Sequence, residues 1–261
     1  MRAMKICLLL VAALLSVSGC QRPATRALIV GMELDYPPFE MTDPAGNPTG
    51  ISVELAHALA AHLGRPVTIE NIPFAGLIPA LKTGKIDLII SSMTATPERA
   101  QSIDFSEPYV ETGLAMLLHQ NSRLTGIADA NTPGTKIAVK NGTTGHLYAV
   151  EHLPRAELLV LDKDAACVME VVQGKADAFI YDQLSIYQNW QRHRTTTRPV
   201  LTPIRTEQWA IGIRKGNEEL RAQVNAFLQA FRAARGFETL GDKYLREQKQ
   251  TFAEMGVAFI F

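Results

Sequence analysis

The fold is decided by the stretch LIPALKTGKIDLIISSMTATPERAQSIDFSEPY, residues 77–109. Apolar residues at its start continue a helical spacing that begins at Phe74, and Gly84 marks where that helix ends. The apolar run at residues 86–90 predicts a short buried strand, and polar residues follow it directly. A helix, a glycine stop and a buried strand with a polar end are typical of α/β proteins.

The residues before this stretch show the same alternation. Residues 27–32 predict a buried first strand, and apolar residues then recur at helical spacing from Ile51 to a stop at Gly64. Residues 67–71 predict a second strand. Strands that alternate with helices in this way imply a mostly parallel sheet with helices on both faces.

The residues after the stretch contain a weak copy of its centre. GKID at residues 84–87 and its apolar run are matched by GKAD at residues 174–177 and the run at residues 178–181. The separation is too long for a solenoid, so we interpret the copies as two lobes of similar plan. Ligands bind outside the carboxyl ends of strands in open α/β sheets, so polar residues after both strands predict a cleft between the lobes.

Charge and histidine spacing exclude two classes of ligand. Lys plus Arg and Asp plus Glu each total 26, which leaves no basic excess for binding nucleic acid. His57 and His62 are too far apart in sequence to share a helix face as a metal-binding pair does. We predict no nucleic-acid partner, no metal site and no cofactor.

The first twenty residues form a separate unit. Arg2 and Lys5 precede an apolar run that is too short to span a bilayer comfortably, which predicts a secretory signal. The run ends in SVSGC at residues 16–20, which resembles a bacterial lipobox. We therefore predict lipidation of Cys20, followed by a tether at residues 21–26; the alternatives are a plain signal peptide or an uncleaved anchor. We expect Cys167 to be a buried core thiol without a disulfide partner.

The best candidate site follows the strand at residues 86–90. Ser91, Ser92 and Thr94 supply hydroxyl groups, and Thr96 can cap the next helix. Arg99, in the first turn of that helix, can hold a carboxylate through two hydrogen bonds. The alternative is a plain capped helix whose arginine forms a surface ion pair.

Two further segments could complete this site. Asp182 follows the strand of the second copy and could accept hydrogen bonds from an ammonium group, although an aspartate there is often only a turn former or a cap. Thr143 and Thr144 lie in NGTTG at residues 141–145, whose backbone N–H groups could bind the same anion as Arg99. This segment lacks the lysine of a phosphate-binding P-loop.

With these residues the chain resembles the periplasmic solute-binding proteins for polar amino acids (family 3 type), the receptors of ATP-driven ABC importers. The resemblance runs from about residue 29 to residue 244. It is strongest in the opening stretch and in DYPPFE (35–40), GISVELAHAL (50–59) and GIRKGNEEL (212–220). It implies a type II periplasmic-binding-protein fold, with two α/β lobes and a hinge of two crossings.

The resemblance also implies partners and a location. The ligand would be a free L-amino acid with a basic or amide side chain, delivered to a permease in the cytoplasmic membrane. We expect a monomer in the periplasm or at the cell surface, held to the membrane through lipidated Cys20.

The resemblance further implies a role for each site residue. Arg99 would bind the α-carboxylate with help from Thr94 and Thr144, while Ser92 and Asp182 would bind the α-ammonium group. The predicted set also contains the hydroxyl residues Ser91 and Thr143 and the aromatic walls Tyr36 and Phe74. Glu33 is its acidic contact for the ligand side chain. The aromatic residues could instead be ordinary core residues, and the acidic residue could be a solvated strand end. Trp209 departs from the tyrosine that is commoner in this family.

We predict that residues 27–110 and 208–261 form lobe 1 and that residues 111–207 form lobe 2. Arg99 and Asp182 would then engage one zwitterion together only when the cleft closes. The first alternative is an exported cyclohexadienyl dehydratase on the same fold, with Glu33 or Glu170 as its general acid. A sensory or adhesive surface lipoprotein is the second. The complete set of residues for an amino-acid head group, above all Asp182, favours a binding protein over an enzyme.

Overall fold

The computed structural model describes residues 26–254. The strands are β1 (Leu28–Met32), β2 (Met41–Thr42), β3 (Pro48–Thr49), β4 (Val67–Asn71), β5 (Leu88–Ile89), β6 (Ile103–His119), β7 (Lys136–Lys140), β8 (Glu157–Leu161), β9 (Ala178–Asp182), β10 (Thr197–Val200) and β11 (Thr206–Arg214). The helices are α1 (Ile51–His62), α2 (Phe74–Thr83), α3 (Pro97–Ala100), α4 (Thr144–His152), α5 (Asp164–Val172), α6 (Gln183–Arg192), α7 (Glu218–Ala233), α8 (Gly236–Tyr244) and α9 (Arg246–Glu254).

In this part of the chain, one nine-stranded sheet runs through both lobes. Strands β4, β1 and β5 are parallel in lobe 1, and β8, β7 and β9 are parallel in lobe 2. The long strand β6 joins the two sets, because its first part pairs with β11 and its last part pairs with β9 and β10, all antiparallel. The predicted class is therefore confirmed: two α/β lobes with mostly parallel sheets flanked by helices.

Strands β6 and β11 are also the two predicted crossings between the lobes. Glu111 on β6 is the register partner of Gln208 on β11. The predicted lobe boundaries, 110–111 and 207–208, thus lie side by side in a paired ribbon. The boundaries themselves stay a prediction, and the names lobe 1 and lobe 2 refer to the predicted ranges.

Strand β1 is buried because its two faces pack against different helices. Leu28, Val30 and Met32 are fully buried in one apolar cluster with Leu55 of α1. Ile29 points to the other face and packs against the cluster built around α2. Burial on both faces explains why β1 is a continuous apolar run without polar alternation.

The internal copy found in the sequence corresponds to equivalent positions in the two lobes. Gly84 ends α2 with φ 79° and Gly174 follows α5 with φ 69°, a left-handed conformation that favours glycine. Asp87 accepts a hydrogen bond from a backbone N–H of β1 at 3.0 Å, and Asp177 accepts one from β7 at 2.8 Å. Each aspartate therefore ties its strand to a neighbouring parallel strand of its own lobe.

Strand β5 is shorter than the sequence predicts. It contains only Leu88 and Ile89 rather than residues 86–90. At its start it is the Asp87 side chain that accepts a hydrogen bond from the Ile29 N–H of β1. Ile86 and Ile90 are nevertheless fully buried, as a core strand requires.

The chain end and the lone thiol complete the fold. Phe252 of α9 is fully buried, and its ring lies 5.2 Å from the ring of Tyr187 on α6, so α9 contacts lobe 2. Cys167 is a free, fully buried thiol, as predicted, and burial raises the pKa of this thiol to about 12. No helix within residues 26–254 is long and apolar enough to cross a membrane. The predicted signal and Cys20 lie outside the described residues.

Candidate ligand-binding site

All ten residues predicted for the site line one cleft between the lobes: Glu33, Tyr36, Phe74, Ser91, Ser92, Thr94, Arg99, Thr143, Thr144 and Asp182. The sequence analysis did not assign five further lining residues to the site: Glu40, Leu114, Tyr181, Glu207 and Trp209. The remaining cavity has a volume of about 40 Å³, which has room for only a few water molecules. A ligand as large as an amino acid therefore requires the cleft to open.

The serines are placed by the polar end of β5. The Ser91 hydroxyl accepts a hydrogen bond from the Glu33 backbone N–H at 3.0 Å, which ties the ends of β5 and β1 together. Ser92 has φ 48°, a left-handed conformation that costs a residue other than glycine roughly 1–3 kcal/mol. This turn aims the segment after β5 across the cleft, where strain of this kind often marks a functional site.

Arg99 is buried and reaches both lobes. Thr96 caps α3 by accepting a hydrogen bond from the Arg99 backbone N–H, and Pro97 begins the helix, as the sequence predicts. The guanidinium donates to the Thr94 carbonyl at 2.8 Å and to the Gly142 carbonyl of lobe 2 at 2.9 Å. Burial lowers the pKa of Arg99 to about 10, so the side chain stays cationic at neutral pH. It is a cation inside the cleft rather than a surface ion pair.

Asp182 lies on the opposite wall and has two partners. It caps α6 by accepting from the Ser185 N–H at 3.0 Å, and it accepts from the Tyr36 hydroxyl at 2.6 Å across the cleft. Burial raises the pKa of Asp182 to about 6, while these hydrogen bonds oppose the rise. The aspartate is therefore both a helix cap and a cleft carboxylate.

Glu33 forms an ion pair that the sequence analysis did not predict. Its carboxylate bonds to the ammonium group of Lys140, which is 1% exposed at the end of β7 in lobe 2. The same ammonium group lies 5.9 Å from the Phe74 ring centre and 6.0 Å from that of Tyr181. Glu33 is therefore paired with an internal cation rather than solvated.

Glu207 was also missed, although it adjoins the Gln208–Trp209 segment singled out in the sequence. Its carboxylate accepts hydrogen bonds from the hydroxyls of Thr94 at 2.9 Å and Thr144 at 2.8 Å. Arg205 holds the other oxygen at 2.9 Å. The sequence signal was weak because a glutamate in an extended segment is ordinary.

Aromatic rings close one side of the cleft. Tyr36 stacks on Phe39 with ring centres 5.5 Å apart, and Trp209 packs edge-on against both rings at 6.0 and 4.9 Å. Phe74 is half-buried and lies under the Arg99 guanidinium at 5.4 Å. Tyr36 and Trp209 are thus both core residues and cleft walls.

A second buried carboxyl, that of Glu40, lies beside Ser92. Burial raises the pKa of Glu40 to about 8, and the nearby hydroxyls of Ser52 and Ser92 only partly offset this. One Glu40 oxygen, both serine hydroxyls and the Tyr109 hydroxyl are buried without a hydrogen-bond partner among residues 26–254. This polar group behind the cleft can hold a water molecule or a ligand donor.

A two-lobe α/β protein whose charged and aromatic groups converge on one cleft between the lobes has the architecture of a solute-binding protein. Sequence comparison agrees: residues 28–247 match the family model of the bacterial extracellular solute-binding proteins, family 3. The chain belongs to that family, which places it among extracellular proteins.

Individual relatives agree with this family. The L-arginine-binding protein of Pseudomonas aeruginosa is 32% identical over 85% of this chain and 88% of its own length. The ancestral amino acid-binding protein AncCDT-1, a precursor of cyclohexadienyl dehydratase, has a crystal structure with a TM-score of 0.76 and 35% identity, covering 84% of this chain and 95% of that one. An ancestral arginine-binding protein bound to arginine has a TM-score of 0.79 and 29% identity, covering 85% and 100%.

Proposed function

We propose that this protein is the substrate-binding component of an ABC importer and captures a free polar amino acid between its two lobes. The observation that carries the proposal is the opposition of Arg99 and Asp182 across one cleft. A buried cation and a buried carboxylate match the two charges of an amino-acid head group, and desolvating such a zwitterion is tolerable only when both charges are paired. Relatives named as amino-acid-binding proteins support this assignment.

The amino-acid head group would bind by replacing contacts that Arg99 and Asp182 now make within the protein. The Arg99 guanidinium now bonds two backbone carbonyls, Thr94 O and Gly142 O, and its planar fork can hold a carboxylate in their place. Asp182 now accepts a neutral hydroxyl from Tyr36, so an α-ammonium group would give it a stronger, charge-assisted partner. Ligand binding therefore strengthens contacts to both lobes.

The side chain of the ligand would meet the Glu33–Lys140 pair. Between the basic and amide ligands expected from the sequence, this pair favours the amide. An amide offers a carbonyl oxygen to the Lys140 ammonium and an N–H₂ group to the Glu33 carboxylate. A guanidinium or ammonium group would instead approach the buried Lys140 cation and repel it.

The cellular location and the permease partner of the protein are predictions from the sequence. The chain would be exported, lipidated at Cys20 and held at the membrane beside its permease, which reads the closed form. We expect it to act as a monomer and not as an enzyme. Of the two acids considered for a dehydratase, Glu33 is paired with Lys140, and Glu170 on α5 lies outside the set of cleft residues.

A thermal-shift screen tests this function. The chain from Gln21 onward, stripped of carried-over ligand by unfolding and refolding, is melted with each common amino acid and with prephenate. A ligand that binds only the native state raises the apparent Tm, by an amount that grows with its concentration above Kd. We expect the largest shift with glutamine or asparagine. Silence with every amino acid, together with turnover of prephenate, would instead establish the dehydratase.

A further inference from the structure

Glu207, on the crossing strand β11, is one of the residues that line the cleft. It is 5% exposed. One carboxylate oxygen accepts hydrogen bonds from the Thr94 hydroxyl at 2.9 Å and from the Thr144 hydroxyl at 2.8 Å. The other oxygen accepts from the Arg205 guanidinium at 3.0 and 2.9 Å. The carboxylate therefore has a full set of charged and neutral donors.

These two threonines belong to different lobes. Thr94 follows β5 in lobe 1, and Thr144 is the first residue of α4 in lobe 2. A single oxygen of Glu207 thus bridges the lobes, and its own backbone lies on one of the two strands that cross between them. This contact holds the cleft closed by means of protein groups alone.

Counting hydrogen-bond donors shows a conflict with ligand binding. A threonine hydroxyl has one hydrogen to donate. The family resemblance assigns Thr94 and Thr144 to help Arg99 bind the ligand α-carboxylate, but both hydrogens already go to Glu207. One carboxylate or the other can accept them at a given time.

The charges give the same result. The negative charge of Glu207 raises the pKa of Arg99 against the lowering caused by burial, which places this carboxylate near the cation meant for the ligand. The carboxylates of Glu207 and of the ligand would repel each other beside this one buried cation. Binding the ligand while Glu207 keeps its place therefore costs free energy.

We propose that Glu207 is an internal competitor for the α-carboxylate of the ligand, occupying its place against Thr94 and Thr144 until the ligand displaces it toward Arg205. This inference rests on the proposed function and adds a regulator of affinity to it. Two nitrogens of Arg205, which is partly exposed, already contact one Glu207 oxygen and give the displaced carboxylate a partner outside the cleft.

The test is the affinity of the variant Glu207→Gln for the amino acid that gives the largest thermal shift. The variant keeps the shape of the side chain and removes its charge. Its neutral amide oxygen holds the threonine hydroxyls more weakly than a carboxylate does, and it no longer repels the ligand carboxylate beside Arg99. We expect Kd, measured by titration calorimetry, to fall by a factor of about ten, as expected for a hydrogen bond to a charged group. Glu111→Gln removes the same charge from the paired strand without touching the threonines, and it should leave Kd unchanged.

Each other outcome has a defined meaning. Weaker binding by Glu207→Gln would show that Glu207 positions the threonines for the ligand, and unchanged binding would show that it does not compete; either result overturns the inference. If the glutamine variant does not fold, Glu207→Asp draws the carboxylate back by one methylene and should also lower Kd. If the wild-type protein binds no amino acid, the proposed function fails before this comparison is made.

Discussion

At the scale of the residue, Arg99 is the side chain on which we expect the binding of any amino acid to depend. Its guanidinium is buried in the cleft and can hold a carboxylate through two parallel hydrogen bonds, which an alanine cannot replace. We expect Arg99→Ala to weaken every amino-acid ligand by a factor of about 100 or more, measured by calorimetry. Arg221→Ala, on the exposed face of α7, is the matched control. Retained affinity in Arg99→Ala would disprove the carboxylate assignment.

Lys140 should decide between amide and basic side chains. Lys140→Met keeps much of the buried length of the side chain but removes the cation that faces Glu33. The freed Glu33 carboxylate would then attract a cationic ligand, with Phe74 and Tyr181 beside it as cation–π partners. We expect the ratio of arginine affinity to glutamine affinity to rise by a factor of about ten, measured by competition binding. Glu33→Gln in the same background should reverse the gain.

Glu40 makes stability depend on pH. Burial raises the pKa of its carboxyl from 4.5 to about 8, so the folded state holds a proton that the unfolded state has lost between these values. The free energy of unfolding therefore falls as pH rises through this window. Glu40→Gln should be more stable than wild type by about 5 kcal/mol at pH 8.5 and equally stable at pH 4. Urea unfolding at both values measures this, and Glu219→Gln on the surface should show no such difference.

The cleft residues were found from the sequence in two ways. Local pattern places the serines after β5, Arg99 in the capped helix that follows them and Asp182 at the end of β9. The aromatic walls and Glu33 were assigned from the family resemblance. The contacts of Lys140 and Glu207 were found in neither way. Lys140 meets Glu33 at a separation of 107 residues and Glu207 meets Thr94 at 113, and no local period carries that information.

At the scale of the element, strands and helices were predicted where a local sequence pattern identifies them and were missed where it does not. The apolar run of β1 and the helical spacing of α1 and α2 have the predicted places, and the glycine stops of the two helices have the expected left-handed conformation. The short strand β10 has no apolar period because it is an edge pair of β6 with half-buried residues. Its structure comes from its partner strand rather than from its own sequence.

Helix α9 allows a test at this scale. Only Phe252 is buried on this otherwise polar helix, where it packs against Tyr187 of α6. Phe252→Ala would leave a cavity in that contact, and we expect a loss of about 3 kcal/mol in the free energy of unfolding, measured by urea titration. Thr251→Ala, on the same helix, should cost less than about 1 kcal/mol. Equal effects would show that α9 does not anchor through its aromatic residue.

At the scale of the whole molecule, three contacts besides that of Glu207 span the cleft. Tyr36 bonds Asp182, Lys140 pairs with Glu33, and Arg99 reaches the Gly142 carbonyl. Removing two of these with Tyr36→Phe and Lys140→Met should shift the population toward open forms. We expect a larger radius of gyration in small-angle scattering, which returns to the wild-type value when a saturating ligand is added. No change in size would show that other contacts govern closure.

The position of β11 has a consequence for how the chain is made. This strand lies between β5 and β6 in the sheet, yet it follows the whole of lobe 2 in sequence. A growing chain therefore cannot complete its first lobe until residues 206–214 have been synthesised. Until then the edge of β5 has no neighbour, and pairing across so long a separation is slow to form. Delayed folding of this kind keeps the polypeptide unfolded for most of its synthesis. A chain must be unfolded to pass through a narrow secretion channel.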